Sequence, residues 1–389
     1  MITFIHSADW QLGKPFSRVA DDEKRSRLRQ ERIAAIRRIG DVVRGHNAAF
    51  VVVAGDVFDS NSPTNATVSD ACEAIRSIGV PVYVIPGNHD HGGPGTVWSQ
   101  SFFLRERADR APNLRVLLDP EPVAEAGYVL FPCPLGHRQS GADPCAWIRG
   151  YDFSALDDRP RIVLAHGSTL NFKQESDEED GGRQANLIEL DRLPLSQLDF
   201  IALGDWHGMV QAGDKASYSG SHETDRFPKD GQTTGQVLVV QAARGSMPVV
   251  QPRQTGRTRW FAHAETFATD AGPAALKDAL NQRVGDADRG LSLLKLSLAG
   301  SLGLAGHAEL ARILESWQSG LLDLRLDNAV AVAPTADEID ALTNTLGNPL
   351  IMHVARELQR QIEGGGDDAF IAGTAIALLH EFVHGDDAR

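Results

Sequence analysis

Two short apolar runs, each ending in a polar cluster, constrain this chain more than any other feature. Phe50-Val51-Val52-Val53-Ala54 runs into Gly55-Asp56-Val57-Phe58-Asp59, and Val80 to Ile85 runs into Pro86-Gly87-Asn88-His89-Asp90. Runs this short and β-branched predict strands buried on both faces, as in a parallel sheet. Between them, Thr64 to Ile78 places Val68, Ala71, Cys72, Ile75 and Ile78 at helical spacing. The stretch therefore predicts a βαβ unit whose polar clusters stand at strand ends, where open α/β sheets hold their ligands. One carboxylate (Asp56), one amide (Asn88) and one imidazole (His89) converge on that rim.

The same pattern recurs along the chain. Residues 2–6 predict a first strand leading into Asp9, Gln11 and Lys14. Arg161 to Ala165 leads into His166-Gly167, and Leu198 to Leu203 into Gly204-Asp205-Trp206-His207. Asp21 to Arg44 reads as a helix with Leu28, Ala35, Ile36, Ile39 and Val43 inward. Its Lys24, Arg25, Arg27, Arg29, Arg32, Arg37, Arg38 and Arg44 are either a stripe for phosphates or a solvated face. Trp98 to Arg110 predicts a helix; Leu114 to Leu118, Tyr128 to Phe131 and Val237 to Val240 predict strands. Glu175 to Gly182 reads as an exposed acidic loop without chemistry.

From Gln251 to Arg259 the pattern turns polar and reads as a linker. Beyond it a helix (274–283), a strand (291–298), a helix (308–318) and a strand-rich segment (321–333) predict a small α+β cap. Thr335-x-x-Glu338 is a capping box opening a helical tail, with amphipathic segments near 349–363 and 368–384. The expected organisation is a first domain over 1–254, a cap over 255–334 and a helical tail over 335–389.

The net charge of −14 argues against gripping nucleic acid by bulk electrostatics. Residues 1–150 balance 17 basic against 17 acidic side chains, so the deficit lies wholly beyond them. A polyanion must then be held locally, by metal ions or through a partner. No apolar run approaches the roughly 20 residues of a membrane span. The chain enters a strand at once, without a signal-peptide pattern. Three cysteines without C-x-x-C spacing suit a reducing, cytoplasmic setting.

In chain order the strand-end donors are Asp9, Gln11, Asp56, Asn88, His89, His166, Asp205 and His207. Oxygen and imidazole donors without cysteine suit Mn²⁺, Mg²⁺, Fe²⁺ or Zn²⁺. The set is large enough for two ions sharing a carboxylate, and a water between them would be acidified enough to attack a phosphoester. The order and spacing D-x-(H), G-D-x-x-D, G-N-H-D, H-G and G-(H)-x-H resemble the calcineurin-like metallophosphoesterases. Within them, I-H-S-A-D-W-Q-L-G, G-D-V-F-D-S-N-S-P and Y-S-G-S-x-E look like the Mre11/SbcD DNA-repair nucleases; the resemblance covers roughly residues 1–250.

That resemblance implies a two-layered β-sandwich flanked by helices and an exo- or endonuclease that hydrolyses phosphodiesters by in-line attack of a metal-bridging hydroxide. Asp9, Gln11, Asp56 and His207 would hold one of two divalent ions, Mn²⁺ before Mg²⁺ or Fe²⁺. Asp56, Asn88, His166 and Asp205 would hold the other. His89 would be the catalytic acid, with Asp59 orienting water or a histidine, and Lys14, Tyr218 and His222 would stand near the substrate. DNA, a Rad50/SbcC-like coiled-coil ATPase docked on the C-terminal helices, and a homodimer through Trp98 to Arg110 are the implied partners, in a cytoplasmic, nucleoid-associated setting.

Two positions depart from the family pattern. Gln11 and Asp205 stand where histidines are expected. A third carboxylate shifts preference toward Mn²⁺ or Mg²⁺ and away from Zn²⁺. Either the site is active but retuned, or it loads a single ion. A phosphatase on small phosphoesters and a non-catalytic scaffold subunit of an ATPase complex are the competing functions.

Overall fold

The apolar runs become strands because both of their faces are covered. In a computed structural model, residues 1–169, 186–227, 232–343 and 349–384 are described; the acidic loop expected at Glu175 to Gly182 lies outside them. The chain divides into two compact units, Met1–Thr258 and Arg259–Arg389. The stretch expected as tail, and that expected as cap from residue 259 on, fall in the second; residues 255–258 belong to the first.

The first unit runs β1 (Ile2–Ser7), α1 (Asp22–His46), β2 (Val51–Ala54), α2 (Asn65–Ile78), β3 (Val82–Ile85), α3 (Ser101–Arg110) and β4 (Leu114–Val116). It continues with β5 (Val123–Ala124), β6 (Val129–Cys133), β7 (Arg161–His166), β8 (Phe200–Gly204), β9 (Val210–Gly213), β10 (Ala216–Tyr218), β11 (Gln236–Ala242) and β12 (Val249–Gln254). Two six-stranded sheets result, ordered β12-β11-β1-β2-β3-β4 and β5-β6-β7-β8-β10-β9. In the first sheet β1 to β4 are parallel neighbours. In the second, β6, β7, β8 and β10 are parallel neighbours. Adjacent strand ends therefore open onto the same edge.

Side-chain alternation divides the core into layers. Val51 and Val53 face α1 and α2 with Ile36, Ile39, Val68 and Ile75. Phe50 and Val52 face the other sheet, with Phe4, Tyr83, Ile162, Leu164 and Phe200. Phe50 stacks on Phe4 at 4.9 Å and on Tyr128 at 3.9 Å between ring centroids. On the outer face of the second sheet, Phe131, Val163, Ile201 and Leu203 pack with Ile148 and Leu198. These layers are the α/β sandwich expected from the strand pattern.

Asp21 caps α1 by accepting from the backbone of Glu23 and Lys24, and Thr64 caps α2 by accepting from Thr67. The segment expected as a linker is partly strand. Val249–Gln254 is β12, antiparallel to β11 at the sheet edge. Its polarity reflects that edge, where Pro252 also costs no interior ladder bond. In the stretch named for a homodimer, Trp98 and Phe103 are core residues packed on Phe58, while Leu104 stays exposed.

The second unit holds β13 (Arg259–Phe267), α4 (Gly272–Val284), β14 (Ser292–Leu302), α5 (Leu304–Gly320), β15 (Asp323–Asn328) and β16 (Ala331–Val332). β13, β14 and β15 form a parallel sheet, and β16 pairs with β14. β13 alternates polar and apolar side chains and is half-exposed, so no apolar run marks it in the sequence. Leu276 and Leu280 of α4 meet Leu294 and Leu296 of β14 and Trp317 of α5. α6 (Ala336–Thr343), α7 (Pro349–Gly364) and α8 (Asp367–His384) follow. The capping box forms reciprocally: the Thr335 hydroxyl accepts from Glu338 N at 3.2 Å, and Thr335 N donates to the Glu338 carboxylate at 2.8 Å.

Because Phe50 is stacked from two sides between the sheets, Phe50→Ala is expected to destabilise the protein by about 3–5 kcal/mol. Guanidinium unfolding checks this; a loss below about 1 kcal/mol would contradict the inter-sheet role.

Candidate metal centre

Five strand ends meet at one edge: β1 leads to Asp9, β2 to Asp56, β3 to Asn88, β7 ends in His166, and β8 leads to Asp205 and His207. The segments after β1 and β2 are joined by backbone bonds. Asp9 N donates to Gly55 O (3.1 Å), Gln11 N to Asp56 O (2.8 Å) and Leu12 N to Val57 O (2.9 Å). A Cβ at Gly55, at φ +89°, would lie 2.2 Å from His166 Nδ1, and one at Gly87 would lie 2.1 Å from Asp56 Oδ1. Only glycine admits so close an approach. Asp9, Gln11, Asp56 and Asp205 all have positive φ. Such strained backbone gathers where a side chain must be aimed rather than relaxed.

The centre of the cluster is Asp9, Asp56 and His166, all buried, with one ligand atom from each within 4.8 Å of the others. His166 Nδ1 donates to the Ala54 carbonyl at 2.8 Å. Its Nε2 therefore points inward, 3.0 Å from Asn88 Oδ1, 3.6 Å from Asp56 Oδ1 and 3.7 Å from Asp205 Oδ1. A neutral ring would aim a lone pair at three oxygens, so the cluster calls for a cation. Without a metal that cation is a proton. Burial opposes it, but the carboxylates of Asp56, Asp205 and Asp9 outweigh burial and raise the His166 pKa to about 9. Burial, with Asp56 and Asp205 nearby, likewise raises Asp9 to about 7. Ser168 Oγ holds Asp205 Oδ2 (2.9 Å), and Asp205 N donates to Asp9 Oδ1 (3.1 Å). This donor set of carboxylates, an amide oxygen and an imidazole nitrogen fits a divalent ion.

Gln11 and His207 stand beside it in a different condition. His207 Nδ1 lies 2.9 Å from Asp225 Oδ2, a carboxylate–histidine pairing of the kind that orients metal ligands, and 2.9 Å from Arg226 Nη2. Its Nε2 lies 3.4 Å from Gln11 Nε2, and Gln11 Oε1 accepts from Lys14 Nζ at 2.8 Å. Burial, above all, lowers the His207 pKa to about 4. The donor atoms of this half of the centre are already engaged within the protein, so as arranged they do not fit an ion.

His89 lies at the rim. Its Nδ1 donates to the Asp59 carbonyl at 2.8 Å, and its Nε2 is 4.0 Å from Asp56 Oδ2. Burial works against charging it, but Asp56 and the Asp59 carbonyl prevail and its pKa rises. The Asp59 carboxylate, raised by burial, lies near Lys14 and His89. Two residues expected near the substrate are buried and bonded to backbone carbonyls. Tyr218 is buried with its hydroxyl donating to Gly167 O at 2.8 Å, and His222 is buried with Nε2 donating to Arg32 O at 2.8 Å. Neither presents a polar atom to solvent.

Four supporting residues were given no role from the sequence alone. Asp90, buried, accepts from Gly87 N (2.8 Å) and Phe58 N (3.0 Å), tying the two polar clusters of the βαβ unit together. Asp225 anchors His207 and Lys14. Arg32, one of the row of bases on α1, is neither solvated nor available to phosphate. It is buried and donates to Trp10 O (2.8 Å), Asp9 O (3.0 Å) and Glu223 O (3.2 Å). Glu223, from the Y-S-G-S-x-E motif, is buried and accepts from Arg38 (2.9 Å), Thr258 N (2.9 Å) and Arg257 N. Asp90 and Glu223 close quoted motifs and Asp225 follows one by two residues, so these three carried a signal, whereas Arg32 carried none.

The raised His166 pKa makes the folded protein hold a proton that the unfolded chain releases near pH 6.5. Metal-free stability is then present below that pH and is lost as pH rises toward about 9. His6 and His207, held neutral by burial, change nothing in that window, since they are uncharged in both states above about pH 7.5. In EDTA, Tm should fall from pH 7.5 to 9.5, and Mn²⁺ should remove much of that fall. A metal-free Tm flat across this range would contradict the assignment.

Comparison with known proteins agrees with this geometry. The family model described as calcineurin-like phosphoesterase matches residues 2–232. An uncharacterized metallophosphoesterase of Bacillus subtilis (strain 168), YhaO, is 35% identical over 97 residues, 24% of each chain. The DNA double-strand break repair protein Mre11 of Archaeoglobus fulgidus is 34% identical over 91 residues, 22% of this chain and 19% of that protein. The chain thus aligns with a quarter or less of these relatives' own length. The crystal structure of TT1561 of Thermus thermophilus superposes with TM-score 0.35 at 12% identity, covering 57% of this chain and 89% of that one. With its strand-end donors in place and more than half its length matched, the chain belongs to the calcineurin-like phosphoesterase family.

Proposed function

We propose that the protein is a divalent-metal-dependent phosphodiesterase that cleaves DNA. The observation carrying this reading is the convergence of Asp9, Asp56 and His166, with Asn88 and Asp205, at the strand ends of a calcineurin-like phosphoesterase. DNA as substrate draws support from the 34% identical stretch shared with a DNA double-strand break repair protein. The exposed edge of the site suits a phosphate presented from outside: His89 keeps 27% of its side chain exposed and Lys14 23%.

Asp9, Asp56, Asn88, His166 and Asp205 would hold the ion. Three carboxylates favour Mn²⁺ or Mg²⁺ over Zn²⁺. Once bound, the ion polarises the phosphoryl oxygens and acidifies water. The protein's own part is positional and protic. Asp59 O fixes the His89 ring so that Nε2 faces the centre. The upward shift of its pKa favours the protonated ring, the form that can give a proton to the leaving oxygen.

The acidic chain needs help to hold DNA, and the reading includes a coiled-coil ATPase partner on the C-terminal helices. Leu350, Ile371, Leu378 and Phe382 leave apolar surface on α7 and α8 that such a helix could cover. Among the described residues no helix is long and apolar enough to cross a membrane. A cytoplasmic site of action at the nucleoid belongs to the same reading.

His89→Ala should lower kcat for Mn²⁺-dependent DNA cleavage by about 10²–10⁴-fold while leaving Mn²⁺ affinity near that of the wild type. Plasmid nicking and exonuclease assays, with isothermal titration of Mn²⁺, read both. Hydrolysis of p-nitrophenyl phosphoesters without DNA cleavage would overturn the substrate, and equal cleavage by the variant would overturn the role of His89.

A further inference from the structure

Gln11, His207, Asp225 and Lys14 close a ring of hydrogen bonds. Lysine has no acceptor, so the Gln11 atom 2.8 Å from Lys14 Nζ is the amide oxygen. That leaves the Gln11 NH₂ group turned to His207 Nε2, at 3.4 Å. His207 Nδ1 is held between Asp225 Oδ2 and Arg226 Nη2, each at 2.9 Å, which leaves its Nε2 turned to the Gln11 amide. Asp225 Oδ2 also accepts from Lys14 at 2.8 Å. Asp225 within it is fully buried, whereas Lys14 is 23% exposed.

Both donor atoms that a second ion would need are consumed by this ring. Gln11 Oε1 is held by an ammonium, and His207 Nε2 faces an N–H. An ion placed on them would also stand against the positive charge of Lys14. We propose that this chain holds one divalent ion, at Asp9, Asp56, Asn88, His166 and Asp205, and that the Lys14 ammonium occupies the place of the second. Lys14 is then the positioning residue that closes the half-site and supplies a fixed positive charge beside the phosphate. The inference deepens the phosphoesterase reading above and rests on it.

The direct test counts ions. Full-length protein equilibrated with Mn²⁺ and freed of excess is measured by elemental mass spectrometry and by electron paramagnetic resonance. The wild type should carry one Mn²⁺ per chain with the spectrum of an isolated ion. A variant with Gln11→His and Lys14→Ala opens the ring and restores an imidazole. It should carry two ions with the exchange-coupled spectrum of a carboxylate-bridged pair, and circular dichroism verifies its fold. Two coupled ions in the wild type would overturn the inference while leaving the phosphoesterase reading intact. A folded variant that stays at one ion would overturn the claim that the ring is what closes the half-site. No bound ion in the wild type would instead defeat the metal-dependent reading itself.

Discussion

Everything at the catalytic edge depends on the direction of one imidazole. His166 is pinned through Nδ1 to the Ala54 carbonyl, so its Nε2 faces Asn88, Asp56 and Asp205 and the buried Asp9. Oxygens buried so closely without a cation repel one another at low dielectric. The fold tolerates them because β2, β3, β7 and β8 are locked between covered layers and cannot spread. The same rigidity makes the metal-free cluster costly.

The segments that carry the donors are held by an internal framework, not by the donors themselves. Arg32 gathers the carbonyls of Asp9, Trp10 and Glu223, and Arg38 reaches the Glu223 carboxylate. Asp90 does the same for the Gly87 and Phe58 amides. Charged groups used this way satisfy backbone that loops would otherwise leave unpaired in the interior. They explain how Asp9, Gln11 and Asp56 sustain left-handed backbone conformations.

The strand-end donors were readable in the sequence because each follows a run that only a buried strand can accommodate, so position along the chain converts to position at the rim. The helices were readable from caps such as Asp21, Thr64 and the Thr335–Glu338 box. What spacing could not show was direction. Arg32 looks like its basic neighbours on α1, yet it alone among them is wholly buried. Tyr218 and His222 lie near the donors along the chain but turn into the core. β12 and the start of β13 were hidden by their polar residues, which an edge strand and a half-exposed strand can carry. The pairing of Lys14 with Asp225, 211 residues apart, depends on side-chain geometry that no local pattern encodes.

Anomalous diffraction from crystals grown with Mn²⁺ addresses the requirement for a cation most directly. A manganese peak should appear among Asp9, Asp56 and His166, with Nε2 of His166 turned to it and Nδ1 still on the Ala54 carbonyl. Saturating Mn²⁺ with no peak there, or a peak only on surface carboxylates, would contradict the assignment of this cluster as the catalytic metal centre.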